Sequence, residues 1–193
     1  MVAAEEEVRA NLPTLMAGTA GHAEGAAAGE ADVLLVEFFD YHCGYCKQAT
    51  EFVFDLLEEE KGLRVVFQEM PVVHQQSYDV ALASLSLAGT ENFAPFHQAL
   101  MNSSGLVETK QMKAIAKDLG IDVSIINDAL NANADRGRLE ETLSLSMQMA
   151  EAIGISGTPG FIIASPDGEI VEVVPGFSPT AVEEAIAAVR AGS

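Results

Sequence analysis

The chain has 193 residues, room for one domain with or without an insertion, and enough to bury about 70% of its unfolded surface without a disulfide or metal staple. Against 10 Lys and Arg stand 29 Asp and Glu, a formal net charge of -19, which offers nothing attractive to a phosphate backbone or an anionic bilayer. Nucleic-acid binding and membrane-surface roles are excluded on that ground. A hydrophobic content of 49% with 20% charged residues excludes a disordered chain.

The start, Met1-Val2-Ala3-Ala4-Glu5-Glu6-Glu7, has neither the basic nor the apolar region of a secretory signal. Either the protein is cytosolic, or an export signal has been removed and Met1 is an added start. No apolar run approaches the 18 or more residues that membrane insertion requires, so a soluble chain is expected. Residues 5–17 suit a short helix. From Gly18 to Ala31 the sequence is Ala, Gly and Glu with Thr19, His22 and Asp32 close by, a composition that buries little, so residues 1–31 read as a flexible arm or linker.

Val33 to Phe39 is apolar, rich in β-preferring residues and bounded by polar ones, which predicts a buried central strand. From Cys43 to Glu60 the period becomes helical, with Thr50, Val53, Phe54 and Leu57 on one face and Lys61-Gly62 as the stop. Arg64 to Met70 is a second strand closed by Pro71. A right-handed crossover makes the two strands parallel. About Ser77 to Ala152 reads as mostly helical, with stripes at Ala81/Leu82/Leu85/Ala88, Phe93/Phe96/His97/Leu100, Met112/Ile115/Ala116/Leu119 and Leu139/Leu143/Met147/Ala150. Breaks are expected at Gly89, Ser103 to Gly105, Gly120 and Asn131 to Gly137.

Strands then return as a hairpin, Phe161 to Ala164 and Ile170 to Val174 around Ser165-Pro166-Asp167-Gly168. A last helix starts from Ser178 as N-cap and Pro179. The expected organisation is α/β: an arm (1–31), a first half of the core (32–76), an inserted helical domain (77–152) and a second half (153–193).

Two cysteines, three positions apart, cannot form a disulfide scaffold and suit a redox pair or half a metal site. Cys43-Gly44-Tyr45-Cys46 lies where a strand gives way to a helix, and the first helical turn presents unpaired N–H groups that favour a thiolate. Cys43 is therefore expected to be exposed with a lowered pKa and to attack first. Cys46, one turn in, faces the protein and resolves the mixed disulfide. His42 either adds positive charge beside the pair or is a plain loop residue.

A structural zinc would need two of His22, His42, His74 and His97 to join the cysteines. No second cysteine pair and no close histidine pair is there to help. His97 fits a hydrogen-bonded core histidine and His74 a loop residue. Two thiolates do suit Cu(I), and a Cu(I)-binding protein is the alternative on the same residues. Glu37, inside the first strand and six positions before Cys43, has a raised pKa if buried and can exchange protons with Cys46; the other reading puts it at a solvated edge. Thr158-Pro159 precedes the returning strand as a turn, where most X-Pro bonds are trans.

A strand carrying Glu37, a Cys-x-x-Cys at its end, a helical insertion and a Thr-Pro ahead of the returning hairpin resemble the DsbA family of thioredoxin-fold thiol-disulfide oxidoreductases, over about Asp32 to Arg190. Phe38 to Lys47 is similar to the bacterial exported members. The resemblance implies a thioredoxin-like core with an inserted helical domain, and a periplasmic location with the signal peptide removed. It implies a cis Thr158-Pro159 bond facing the cysteines, with Thr158, Pro159, His42 and Tyr45 at the substrate groove, no cofactor, and no metal ligand from Pro159. The partners it implies are cysteine-containing protein substrates and a membrane redox partner that recycles the disulfide. Gly-Tyr replaces the Pro-His of the strong oxidants and resembles DsbC and the ScsC-like copper-tolerance members; with no imidazole at Tyr45 a weaker oxidant is expected, which makes isomerisation or reduction credible beside oxidation.

Overall fold

The computed structural model describes residues 2–192, so an added start at Met1 lies outside the described residues. In chain order the elements are α1 (Val2–Ala17), β1 (His22–Gly25), β2 (Val33–Phe39), α2 (Gly44–Glu59), β3 (Leu63–Glu69), α3 (Ser77–Leu85) and α4 (Phe93–Met101). There follow α5 (Thr109–Asp118), α6 (Val123–Leu130), α7 (Ala134–Ile153), β4 (Gly160–Ala164), β5 (Val171–Pro175) and α8 (Pro179–Gly192).

The strands form one sheet in the order β1-β3-β2-β4-β5. β2 and β3 are parallel, with Val33 opposite Leu63 and Glu37 opposite Phe67, because α2 carries the chain across between them. β4 returns antiparallel to β2 with Phe161 opposite Glu37, and β5 completes the hairpin. All seven residues of β2 are buried, which explains why its sequence does not alternate: both faces of the sheet are covered. Val33, Leu35, Phe39, Val65, Phe67 and Phe161 pack with α2, α4 and α8 on one face. Leu34, Val36, Phe38, Val66 and Ile162 pack with α1 and α7 on the other. Each large side chain so buried contributes about 1.5 to 3 kcal/mol.

Residues 1–31 were expected to be a flexible arm, and the structure corrects this. Val8, Leu12 and Leu15 of α1 are buried in the second face's core, and β1 pairs antiparallel with β3, His22 opposite Phe67. The glycines that suggested flexibility allow close approach instead. A Cβ on Gly21 would collide with the Phe67 carbonyl, and one on Gly25, at φ +83°, with the Leu63 carbonyl. Arg64 fastens the segment by donating to the Met16 carbonyl at 2.6 Å and the Ala26 carbonyl at 2.8 Å.

The helical block also differs in detail. Asp122 accepts from the Ser124 N–H at 2.9 Å and restarts the chain as α6, a helix too short to show as its own stripe. The break expected over Asn131 to Gly137 is shorter, because the Asn133 side chain accepts from the Arg136 N–H at 2.9 Å and starts α7 at Ala134. α7 does not stay within the block: Met149, Ala150 and Ile153 cover the sheet beside α1.

Candidate active site

The end of β2, the first turn of α2 and the loop before β4 meet at the cysteine pair. Cys43 is the N-cap of α2, with extended backbone (φ -79°, ψ 118°), and its Sγ accepts from the Cys46 N–H at 3.4 Å. As a thiol it donates to the Thr158 carbonyl at 3.3 Å. Its pKa is lowered from 9.0 to about 5, chiefly by the hydrogen bond from the Cys46 side chain, with further help from Thr158 and the N–H groups of Cys46 and Tyr45, against the opposing effect of burial. The expectation of an exposed Cys43 is corrected: only 6% of the residue is accessible, since the Thr158-Pro159 loop lies over it. Both cysteines are free thiols.

Cys46 is fully buried. Burial above all, then the Cys43 and Glu37 side chains, pushes its thiol far above the usual range. The two sulfurs are thus opposite in character, one an anion at neutral pH and the other a protonated reserve. That asymmetry works against a dithiolate for Cu(I), and among the described residues no group of three or more His, Cys, Asp or Glu is arranged to hold a metal.

Glu37 is 1% exposed, and neither carboxylate oxygen has a hydrogen-bond partner. Burial foremost, and the Cys43 charge after it, raise its pKa from 4.5 to about 8. A carboxyl group so placed is mostly protonated near neutral pH, and it is its ionised fraction that can take the proton of Cys46. The Thr158–Pro159 peptide is cis. The Thr158 hydroxyl is buried and has no partner of good geometry, while its side chain lies close enough to lower the Cys43 pKa.

His42 takes neither of the roles weighed for it. Its side chain is 4% exposed, Nε2 accepts from the Val107 N–H at 3.0 Å, and Nδ1 lies 2.8 Å from Ser77 Oγ. With Nε2 accepting, the ring proton sits on Nδ1 and the imidazole is neutral. Burial lowers its pKa further below the ordinary value despite Asp40. It is a clasp between the cysteine turn and the helical block. Tyr45, by contrast, is 65% exposed and stands free beside Cys43.

Three contributors escaped the sequence reading. Asp40, buried, accepts from the His42 N–H at 2.7 Å, from Ser77 Oγ at 2.7 Å and from the Val73 N–H at 2.8 Å, tying segments far apart in sequence to the cysteine turn. Its spacing two before His42 is an Asx-turn signal; nothing marks Ser77 or Val107. Behind them a buried network joins Tyr41 Oη to Ser84 Oγ at 2.6 Å and to His97 Nδ1 at 3.0 Å. Glu69 sits against Tyr41 and Ser84, and burial holds its carboxyl protonated well above the usual range.

Exposed apolar side chains gather on the segments bonded around Cys43. Of the seven large apolar side chains exposed among the described residues, Tyr45, Val72, Val73 and Leu106 belong to segments fastened to the catalytic turn. A cavity of about 710 Å³ between the β1 segment and the helical block, lined by His22, Arg64 and Leu139, contains none of the cysteine-site residues.

These features meet known proteins at the fold. The family model described as Thioredoxin matches residues 21–177. The chain belongs to the thioredoxin family. Its fold is similar to the thiol-disulfide exchange protein α-DsbA2 from Wolbachia pipientis, with a TM-score of 0.81 and 23% identity over 96% of this chain and 95% of that one. The catalytic domain of Proteus mirabilis ScsC gives 0.79 and 22% over 97% and 98% of the respective chains. A thioredoxin-like oxidoreductase from Silicibacter pomeroyi gives 0.78 and 28% over 93% and 98%. Among curated relatives, the Na(+)/H(+) antiporter NhaA 1 of Salinispora arenicola is 28% identical over 136 residues, 69% of this chain and 20% of that protein. The chain thus spans about a fifth of the length of the curated relatives it matches. The thioredoxin-fold assignment therefore accounts for the sheet order and the helical block, and no described helix is long and apolar enough to cross a membrane.

Proposed function

We propose that this chain is a thiol-disulfide oxidoreductase acting on cysteines of exported proteins through Cys-Gly-Tyr-Cys. The opposed ionisation of its two thiols carries the reading: Cys43 lowered to about 5, Cys46 raised far above its usual range. The Cys43 thiolate attacks one sulfur of a substrate disulfide, and the other sulfur leaves as a thiolate. The mixed disulfide removes the Cys43 charge that helps to hold Glu37 protonated; Cys46, losing its proton to the ionised Glu37 carboxylate, then attacks Cys43 Sγ, and the second substrate sulfur departs. Two electrons pass to the substrate, and a Cys43–Cys46 disulfide remains in the protein. The reverse sequence oxidises a dithiol, and interruption after the first step allows isomerisation.

Thr158 and Pro159 shape the groove. Once Cys43 ionises, the Thr158 carbonyl loses its S–H donor and is free to accept from the backbone of an extended substrate segment, as in strand addition. Tyr45 adds exposed aromatic surface there, while His42 supports the turn from below. Export to the periplasm and recycling of the disulfide by a membrane redox partner belong to this proposal through the likeness to exported DsbA-type proteins.

Cys43→Ser should abolish exchange with any disulfide, and Cys46→Ser should accumulate mixed disulfides visible by non-reducing electrophoresis. A Cys43→Ser protein that still turns over a disulfide substrate overturns the assignment. The reduction potential of the couple then sets the direction, about 30 mV corresponding to roughly 1.4 kcal/mol.

A further inference from the structure

The cations of this acidic chain are distributed unevenly. Every arginine is engaged: Arg9 with Glu5 and the Gly168 carbonyl, Arg64 with the Met16 and Ala26 carbonyls, Arg136 with Glu140 and Asp79. Arg138 pairs with Asp135, and Arg190 with Asp32 and Glu60. Lys47 donates to the Ser103 carbonyl at 2.6 Å. Three of the five lysines, Lys110, Lys113 and Lys117, lie on α5, and among the described residues none of them makes an ion pair.

Spacings of three and four residues place these lysines on one stripe of the helix, away from its buried Met112 and Ala116. Lys110 and Lys117 are exposed, and Lys113 is half-buried. Three lysines against Asp118 make α5 the helix whose side chains sum to a positive charge, whereas the other charged helices among the described residues sum negative. The stripe also follows directly on a segment bonded beside the cysteine pair. α5 follows Leu106, one of the exposed apolar side chains, and Val107, whose N–H is bonded to His42 next to Cys43. From there α5 carries the three charges over its 10 residues, a length of roughly 15 Å at helical rise.

We propose that the lysine face of α5 is a docking surface for an acidic polypeptide segment flanking the substrate's reactive cysteine. The inference rests on the thiol-exchange reading and adds the class of substrate. Charge complementarity carries it: a net charge of -19 repels acidic polypeptides at long range, yet at physiological salt the screening length is about 8 Å. A segment whose cysteine sits at Cys43 and which runs on past Leu106 and Val107 meets Glu108 and then the three α5 lysines. Apolar contact at Tyr45 and Leu106 followed by lysine contact gives a substrate order of cysteine, apolar residue and acidic run. Glu108 and Asp118 mark the two ends of the positive stretch.

The test uses the reduced full chain and three disulfides: the uncharged hydroxyethyl disulfide, and two synthetic peptides sharing one disulfide loop but continuing into four glutamates or four lysines. In single turnover at about 0.15 M salt, the glutamate peptide should be reduced roughly threefold to tenfold faster than the lysine peptide, the scale of local electrostatic steering. The preference should fade at 1 M salt, where screening reaches about 3 Å. In the triple variant Lys110→Gln, Lys113→Gln, Lys117→Gln it should vanish or reverse, with hydroxyethyl disulfide reduced at the wild-type rate. No preference in the wild type, a preference that survives in the triple variant, or an equal slowing toward the neutral disulfide would each overturn the proposal. So would self-association in sedimentation that the triple substitution abolishes, since the stripe would then serve a second acidic copy. Failure to reduce any of the three disulfides would instead sink the thiol-exchange reading beneath it.

Discussion

The Cys46 thiol above all, then Thr158 and the N–H groups at the helix N-terminus, hold the Cys43 sulfur as an anion, with a pKa of about 5 in place of 9.0. Ultraviolet thiolate absorbance and alkylation rate should therefore titrate with a midpoint near pH 5. A midpoint near 9 would remove the basis for nucleophilic attack. The lowered value also acts on stability: in the reduced protein the contribution is fully present above about pH 9 and is lost as pH falls through 5, so unfolding free energy should rise over that window relative to the disulfide form. Glu37 acts with the opposite sign. Its pKa is raised from 4.5 to about 8, so its contribution is present below 4.5 and lost as pH rises through 8. The stability of Glu37→Gln relative to wild type should accordingly improve by roughly 3 kcal/mol between pH 4.5 and 7, one pKa unit being about 1.4 kcal/mol. The difference cancels the constant cost of burying an amide. Kinetically, the same variant should form mixed disulfides normally and resolve them on the order of a hundredfold more slowly, the scale of one lost proton acceptor.

The first helix and strand decide whether the sheet has a bare edge. β1 covers the outer edge of β3, and the fully buried Leu15 of α1 joins Val66 and Ile153 in the core behind the sheet. Leu15→Ala should lower the unfolding free energy by about 2 to 5 kcal/mol, as for other buried leucines. A denaturation midpoint shifted by the equivalent of less than 1 kcal/mol would mean that α1 is held loosely. For the strand the sequence concealed this because the Ala/Gly/Glu stretch from Gly18 has no apolar period; its bonding is through backbone and through Arg64, which patterns of side chains do not report, whereas Val8, Leu12 and Leu15 of α1 do stand at helical spacing. The same limit hid the clasp of Asp40, Ser77 and Val107. Each is an ordinary loop or cap residue until folding brings segments dozens of positions apart to the catalytic turn.

Over the whole molecule, a charge of -19 with four of the five arginines already in ion pairs leaves many carboxylates to repel one another. Raising NaCl from about 0.01 to 0.5 M should increase Tm by several degrees, since screening relieves self-repulsion in the folded state more than in the expanded one. A Tm that falls with salt would indicate that ion pairs such as Arg190 with Asp32 and Glu60 dominate instead. The helical block contributes more than bulk at this scale, because Val107 reaches from it to His42 and α7 ends by covering the back of the sheet.

The cysteine motif, the buried strand before it and the returning hairpin were legible from residue order, because each depends on short-range pattern: apolar runs, a change of period and turn residues. Tertiary structure alone decided that Cys43 is nearly covered, that His42 is a neutral clasp, that the N-terminal segment completes the sheet, and that the segment leading into the lysine helix is bonded beside the cysteine turn. The reason is common to all four. Burial, protonation and edge pairing depend on which distant segments come within a few ångströms, and a linear sequence specifies that only through the fold.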